Sequence, residues 1–268
     1  MEIIGEKINT TRKTVERAVR EKDKAFIQDL AGRQADSGAT YLDVNSGTAL
    51  YPEEEAEDLA WLVQVIQEAV ELPLCIDSAH PSAIEKALCI HRGRAMINSI
   101  NGDPKTMDAL FPLIKKYQCK VVAMTSSREA GIPSGSMERL KIAQAIAGEA
   151  EKYGVPLEDV YFDPLVLSIS TDHRNGLLFL ETLKEIRKEI PKARTISGLS
   201  NISYGLPKRR LINQTFLVMC LYCGMDAAIL DPTDKETMAL IQAGAVLIGK
   251  DAFCSGYLRA FRSGILDF

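Results

Sequence analysis

The chain has 268 residues, more than most single domains contain. Hydrophobic residues make up 46% of it and charged residues 25%, which is the balance of a globular protein with a sizeable core and excludes a disordered chain. Lysine and arginine number 32 against 36 acidic residues, and the net charge of −4 argues against a nucleic-acid partner.

The chain shows no sign of export or membrane insertion. Residues 1–5 lack the basic region and long apolar stretch of a secretory signal, and no apolar run is long enough to span a membrane. We therefore expect a cytoplasmic protein without a membrane partner.

Short β-rich runs alternate with longer segments of helical periodicity along the chain. The candidate strands are residues 3–8, 41–44, 74–76, 95–97, 120–123, 160–162, 194–196 and 227–230. The segments between them repeat apolar residues at three- and four-residue steps, as in Leu59, Leu62 and Ile66.

The ends of several predicted helices carry recognisable signals. Glycines 38, 154 and 224 precede the next strand, where a left-handed helix cap is needed. Asp103 and Pro104 supply an N-cap and a first-turn proline. Eight β-α units without a dinucleotide-type glycine fingerprint predict one closed (β/α)8 TIM barrel spanning residues 1–268, a fold of roughly 250 residues.

In such a barrel the catalytic residues follow the carboxyl ends of the strands. Any one of them is equally well interpreted as a helix N-cap or a loop-ordering side chain. The polar residues in this position are Glu6, Asn9, Asp43, Asn45, Asp77, Asn98, Thr125, Asp163, Ser200, Asn201 and Asp231.

Carboxylates and carboxamides dominate this set, and no lysine or histidine ends a strand run. A mouth of this composition suits a neutral ring with amide-like edges, and a pterin is such a ring. A carboxylate can bind its adjacent N–H donors, while an Asn amide serves its carbonyl and ring nitrogens. Asp77, Asn98 and Asp163 fit these roles.

Several runs at the predicted rim resemble the methyltetrahydrofolate:corrinoid protein methyltransferases, which are related to the folate domain of cobalamin-dependent methionine synthase. The resemblance covers nearly the whole chain, with the blocks in the family's order. The runs are GEKIN from residue 5, LDVN from 42, LCIDS from 74, AMINS from 95, YFDP from 161 and GLSNIS from 198.

The resemblance implies that Asp77, Asn98 and Asp163 hold the pterin and that Asn201 hydrogen-bonds N5 of the folate during methyl transfer. The substrates would be tetrahydrofolate or 5-methyltetrahydrofolate and a corrinoid carried by a partner protein, with no metal bound by this chain. Because a neutral amide releases no useful proton, Asn201 would act as an oriented donor in an SN2 displacement.

Other rim residues have weaker assignments. Glu6 and Asp43 either order water near N5 or form salt bridges to Lys7 or Arg209. Arg209 either contacts the benzoyl-glutamate tail of the folate or is a solvated charge.

Ser200 is placed with the folate-binding residues as the neighbour of Asn201. Tyr204 departs from the pattern, because several relatives have glutamine there. The detailed contacts on one face of the ring are therefore open.

Three other features are interpreted as structural. Cys220 and Cys223 form a C-x-x-C motif on an apolar helix without a second ligand pair, so core packing is favoured over zinc. The six scattered cysteines are expected to be buried apolar residues. The three histidines show no ligand spacing, and Thr125 lacks an activating base.

Three alternative functions stay open. A dihydropteroate synthase shares the barrel and pterin pocket but needs a phosphate-binding first loop that residues 5–10 lack. A noncatalytic folate-binding module and a glycosidase that uses the rim carboxylates are the others.

The direction of transfer is also open. Folate-to-corrinoid transfer fits an anaerobic acetyl-CoA pathway, and the reverse fits demethylation of methylated substrates. The resemblance further implies a homodimer that docks its corrinoid protein over the barrel mouth.

Overall fold

A computed structural model describes residues 1–266, and in it eight parallel strands form a closed barrel in the order β1 to β8. The strands are β1 Glu2–Asn9, β2 Tyr41–Asn45, β3 Leu74–Asp77, β4 Met96–Ile100, β5 Lys120–Met124, β6 Val160–Asp163, β7 Arg194–Gly198 and β8 Ala227–Leu230. All eight predicted strands are confirmed, most of them within one or two residues. The TIM-barrel prediction is therefore correct.

Helices separate the strands and cover the barrel from outside. They are α1 Lys13–Arg20, α2 Lys24–Asp36, α3 Pro52–Gln67, α4 Pro81–Ile90, α5 Pro104–Tyr117, α6 Ser136–Tyr153, α7 Asn175–Glu189, α8 Arg209–Tyr222, α9 Lys235–Leu247 and α10 Ser255–Arg262. None of the helices within residues 1–266 has the length and apolar character that crossing a membrane requires.

The predicted helix signals act as expected. Gly38, Gly154 and Gly224 have φ angles of 93°, 70° and 93°, a backbone region that favours glycine. The Asp103 side chain accepts a hydrogen bond from the Lys105 amide at the start of α5. Local sequence therefore sets where these helices begin and end.

The barrel interior is filled by one side chain from each strand, so it is a packed core. These residues are Ile4, Tyr41, Cys75, Met96, Val122, Tyr161, Ile196 and Ala227. A larger apolar layer lies between the strands and the surrounding helices. Because side chains alternate along a strand, the residues two positions before and after this inner layer also point inward.

Two positions before the inner layer, charged side chains close the amino-terminal end of the barrel. The Glu2 carboxylate accepts hydrogen bonds from Lys120 Nζ at 3.2 Å, Tyr161 Oη at 2.8 Å and Arg194 Nη1 at 3.1 Å. Lys120 also lies 5.0 Å from the centre of the Tyr41 ring. This end of a TIM barrel serves stability, away from the catalytic loops.

We predict that Glu2→Gln lowers the free energy of unfolding by about 2 kcal/mol, because Lys120 and Arg194 lose a partly buried counter-charge. Urea unfolding followed by circular dichroism measures this change. Glu21→Gln is the matched control: Glu21 pairs with Arg17 on an exposed helix face, and the expected change is below about 0.5 kcal/mol. Equal effects of the two substitutions would contradict the prediction.

The cysteine prediction is only partly correct. Cys75, Cys119 and Cys220 are buried, and Cys220, which lies in α8, packs in the apolar core as expected. Cys89 and Cys254 are exposed, which corrects the expectation for those two.

Candidate functional site

The carboxyl ends of the strands bring five predicted polar residues into the barrel mouth. Each stands two positions after a residue of the inner layer, so strand alternation directs it inward. These residues are Glu6, Asp43, Asp77, Asn98 and Asp163.

Strands β2, β3 and β4 form one side of this mouth. The register pairs Asn45 with Asp77 and Asp77 with Asn98. Asn45 Nδ2 donates to Asp77 Oδ2 at 2.9 Å, and Asn98 Nδ2 lies 3.4 Å from Asp43 Oδ1. The structure therefore brings Asp43, Asp77 and Asn98 together as predicted.

These carboxylates are held away from water. Burial raises the pKa of Asp77 to about 6; the Asn45 hydrogen bond opposes this rise and the Glu55 carboxylate adds to it. Burial, then repulsion from Asp77, raises the pKa of Asp43 well above its usual range, against the Asn98 hydrogen bond. This pair therefore retains a proton up to a higher pH than exposed carboxylates do.

Asp163 stands on the other side of the mouth, at the end of β6. Its Oδ1 accepts hydrogen bonds from Ser197 Oγ and from the Leu165 amide, both at 2.7 Å. Burial raises its pKa to about 6, although these two bonds and the positive charge of Arg139 oppose the rise. Within residues 1–266, Asp163 Oδ2 accepts no hydrogen bond and is free for a ligand.

Of the two alternatives for Glu6 and Asp43, the salt bridges to Lys7 or Arg209 are wrong. Glu6 pairs with Arg12 at 3.1 Å, because Arg12 lies at the end of the short turn between β1 and α1. Lys7 pairs with Asp231 at 2.5 Å instead. Asp43 is buried and forms no ion pair within the described residues. Burial raises the pKa of Glu6, with Arg12 opposing.

Ser200 and Asn201 lie in a short 3₁₀ helix, Leu199–Ser203, between β7 and α8. Both are exposed, and among residues 1–266 the Asn201 side chain makes no hydrogen bond. Asn201 therefore differs from Asn45 and Asn98, whose amides are already engaged.

Arg209 shapes this 3₁₀ segment. Its Nε donates to Ser203 Oγ at 3.0 Å and its Nη2 to the Ser200 carbonyl at 2.7 Å. Its guanidinium lies 6.0 Å from the centre of the exposed Tyr204 ring. Arg209 is thus neither a freely solvated charge nor the partner of a rim carboxylate.

A cavity of about 290 Å³ opens between the β7–α8 segment and the end of β8. Its lining includes Glu6, Ser200 and Arg209, together with Asn213, whose side-chain oxygen is buried without a partner in the described part of the chain. Asp77, Asn98 and Asp163 lie outside this lining. The predicted residues therefore form two neighbouring groups. One is the buried floor, which consists of Asp43, Asp77, Asn98 and Asp163, and the other is this side cavity.

The assignment from sequence missed several supporting residues. Asn45 was identified on the rim but not assigned to the site, although a strand-register argument would have placed it beside Asp77. Nothing in the sequence marks Ser197 as the hydrogen-bond donor to Asp163 or Arg139 as the positive charge near it.

A second missed group lies beside Asp77. Glu55, in the first turn of α3, accepts a hydrogen bond from Ser78 Oγ at 2.5 Å and contacts His80 Nδ1 at 2.6 Å. This contact gives His80 a carboxylate partner. In residues 1–266, no three His, Cys, Asp or Glu side chains are arranged to hold a metal ion.

Comparison with known proteins identifies a matching family and several proteins of similar sequence. Residues 5–231 match the family described as pterin binding enzyme. Over 266 residues the chain is 41% identical to a methylcorrinoid:tetrahydrofolate methyltransferase of Eubacterium limosum, covering 98% of this chain and 97% of that protein. It is 28% identical to the methionine synthase of Mycobacterium tuberculosis over 85% of this chain but 20% of that protein.

Solved structures share the architecture. Dihydropteroate synthase from Xanthomonas albilineans, in complex with 7,8-dihydropteroate, has a TM-score of 0.68 and 21% identity over 94% of this chain and 93% of that one. This likeness shows the fold alone. The family match and the full-length relative confirm the resemblance carried by the rim motifs, and the chain belongs to the pterin-binding enzymes, in the family of folate and corrinoid methyltransferases.

Proposed function

We propose that this protein transfers a methyl group between N5 of tetrahydrofolate and the cobalt of a corrinoid held by a partner protein. The observation that carries the proposal is the inward-facing layer of Asp43, Asp77, Asn98 and Asp163 above a packed barrel core. The full-length similarity to a methylcorrinoid:tetrahydrofolate methyltransferase supports it.

The buried floor suits the pterin end of the folate. The free Oδ2 of Asp163 and the carboxylate of Asp77 accept the adjacent N–H groups of the pyrimidine ring. Asn98 serves a carbonyl or ring nitrogen after its long contact with Asp43 gives way. The side cavity with Arg209 and Ser200 takes the part of the folate that extends away from the ring.

Asn201 acts at the reacting nitrogen. In the direction from folate to corrinoid, the bond between N5 and the methyl carbon breaks as the bond from cobalt to carbon forms, and N5 gains a proton from solvent. The unengaged amide of Asn201 donates a hydrogen bond to N5 as its electron pair develops. The 41% identical relative is a methylcorrinoid:tetrahydrofolate methyltransferase, in which the methylcorrinoid is the donor, and this favours transfer to tetrahydrofolate here.

The direct test mixes the purified chain with tetrahydrofolate and methylcobalamin and follows the cobalamin absorption spectrum. We expect a spectral change that requires both the protein and tetrahydrofolate. A protein that binds folate but shows no turnover, either with free methylcobalamin or with a methylated corrinoid protein, would favour a noncatalytic module. No folate binding would reject the proposal altogether.

Folate affinity should depend on pH. Asp77 and Asp163 have a pKa of about 6, so both are ionised at pH 7.5 and largely protonated at pH 5. We expect constant affinity above pH 7 and a loss of about tenfold per pH unit for each carboxylate that titrates below pH 6, as linkage requires.

Calorimetric titration with methyltetrahydrofolate from pH 5 to pH 8 measures this dependence. Asp163→Asn is the control, because its amide oxygen still accepts from Ser197 and Leu165 while one titration is removed. Affinity that does not change between pH 5 and pH 7.5 would contradict ionised carboxylates as the pterin acceptors.

We also propose that the protein is a homodimer. An apolar groove between α7 and α8 is bordered by Leu177, Leu211 and Met219, with 59%, 68% and 46% of their surface exposed. Exposed apolar patches of this kind mark contact surfaces. Sedimentation should show a dimer that Leu211→Glu with Met219→Glu converts to a monomer. Lys116→Glu, on the exposed surface of α5, is the control and should leave the dimer intact. A monomeric wild type would contradict this.

The remaining proposals concern the whole chain. We propose that residues 1–268 act as one domain in the cytoplasm and that the corrinoid protein docks over the barrel mouth. Residues 267 and 268 lie outside the described part of the structure.

A further inference from the structure

Arg139, in the first turn of α6, is the largest fully buried side chain of the described residues, with 1% of its surface exposed. Arginine is rarely buried to this degree unless it is paired. Yet Arg139 forms no ion pair within 4 Å in residues 1–266. Its burial therefore calls for another explanation.

The guanidinium joins two loops at the barrel mouth. Its Nε donates to the Pro133 carbonyl at 2.8 Å, in the β5–α6 loop. Its Nη1 donates to the carbonyls of Pro164 at 2.7 Å and Leu165 at 3.0 Å, just after β6. Its Nη2 is buried and has no hydrogen-bond partner among residues 1–266. Arg139 thus fixes the backbone that immediately follows Asp163.

The fixed backbone has an unfavourable conformation. Leu165 has a φ angle of 66°, in the left-handed region, which costs a residue with a side chain roughly 1–2 kcal/mol. In this turn the Leu165 amide donates to Asp163 Oδ1 at 2.7 Å. The bonds from Arg139 to the Pro164 and Leu165 carbonyls offset the strain and keep that amide in place.

The same guanidinium is a buried positive charge near a buried negative one. Burial lowers the pKa of Arg139, and attraction to the Asp163 carboxylate opposes this shift. Reciprocally, the Arg139 charge lowers the pKa of Asp163. Screening by water is weak at such a site, so the interaction persists beyond direct contact.

We propose that Arg139 is a positioning residue for the pterin site: it holds the turn from Asp163 to Leu165 so that one carboxylate oxygen is satisfied by the protein and the other faces the ligand, and it compensates the charge of Asp163. The inference rests on the proposed function, because the role of Arg139 is measured through the binding of folate at Asp163. Arg139 touches no substrate atom in this assignment.

The test measures methyltetrahydrofolate affinity by calorimetry against pH for the full chain and its variants. Arg139→Met should weaken binding at pH 7.5 by about tenfold and move the midpoint of the pH dependence up by about one unit, since one unit corresponds to a tenfold change. Arg139→Lys keeps the charge, so its midpoint should stay within about 0.3 unit of wild type, while affinity falls about threefold because the forked contact is lost. Arg33→Met, on the exposed face of α2, is the matched control and should change neither quantity.

A double-mutant cycle shows whether the effect passes through Asp163. In an Asp163→Asn background, Arg139→Met should weaken folate binding by less than about twofold. A purely structural role for Arg139 would weaken binding equally in both backgrounds, and that result would overturn the inference.

The outcomes separate this inference from the proposed function. Wild-type protein that does not bind folate rejects the function itself. Wild-type binding together with unchanged affinity and midpoint in Arg139→Met rejects only the role of Arg139. If Arg139→Met does not fold, Arg139→Lys decides: weaker binding with the wild-type midpoint supports the inference, and wild-type affinity overturns it.

Discussion

Asn201→Ala is expected to lower the rate of methyl transfer by about 100- to 1,000-fold while folate affinity changes by less than about fivefold, the effect of removing one preorganised hydrogen-bond donor. Asn201 is exposed on the 3₁₀ segment after β7, and its amide is not engaged within the described residues. Its removal therefore leaves the local packing intact. Because the donor strengthens its bond only as charge develops on N5, the loss falls on the rate rather than on binding.

Single-turnover kinetics with methylcobalamin and saturating tetrahydrofolate measure this rate. Asn101→Ala is the matched control: Asn101 lies between β4 and α5 at the same end of the barrel and only caps the Asp103 amide. Its rate should stay within about twofold of wild type, as expected for a local contact within one loop. An unchanged rate in Asn201→Ala would remove Asn201 from the mechanism.

Asp77→Ala is expected to weaken folate binding by about 100-fold, or roughly 3 kcal/mol, because the N–H groups of the buried ring lose a charged acceptor. The Asn45 amide, which donates to the Asp77 carboxylate at 2.9 Å, loses this hydrogen bond at the same time. Once folate is saturating, the transfer rate should stay within about tenfold of wild type, because Asp77 binds the ring at a distance from N5.

Calorimetry with methyltetrahydrofolate separates this effect on binding from an effect on the rate. Asp29→Ala removes the same charge from the exposed face of α2 and should leave the affinity unchanged. Asp77→Asn should bind folate with intermediate affinity, because its amide oxygen accepts one hydrogen bond instead of two. Wild-type affinity in Asp77→Ala would exclude Asp77 from the pterin site.

The positions of the site residues were predictable because they follow from local periodicity. Strand alternation places Asp43, Asp77 and Asp163 two residues beyond Tyr41, Cys75 and Tyr161, and all six point into the barrel. The strand boundaries themselves follow from glycine caps and apolar runs. The family motifs added the expected role of each side chain.

The partners of these residues were not predictable. Glu6 pairs with Arg12, six positions along the chain, whereas Lys7 or Arg209 was expected. Only the turn after β1 selects Arg12.

The exposure of residues that look alike in the sequence was not predictable either. Arg139 and Arg209 each follow a loop near the mouth and begin a helix, yet Arg139 is fully buried and Arg209 is exposed. No local pattern distinguishes them, because the difference comes from the loops that fold over each side chain. The raised pKa of Asp163 has the same origin, since burial is its main cause.

The sequence by itself determined the eight strands, the helices between them and the ring of acids and amides at one rim, because hydrogen-bonding periods and capping preferences are local properties of the chain. The tertiary structure alone decided which side chains meet, which carboxylates lose their water and which amide stays free. Those outcomes depend on distances across a closed barrel between residues far apart in sequence, and desolvation exists only once the barrel has closed.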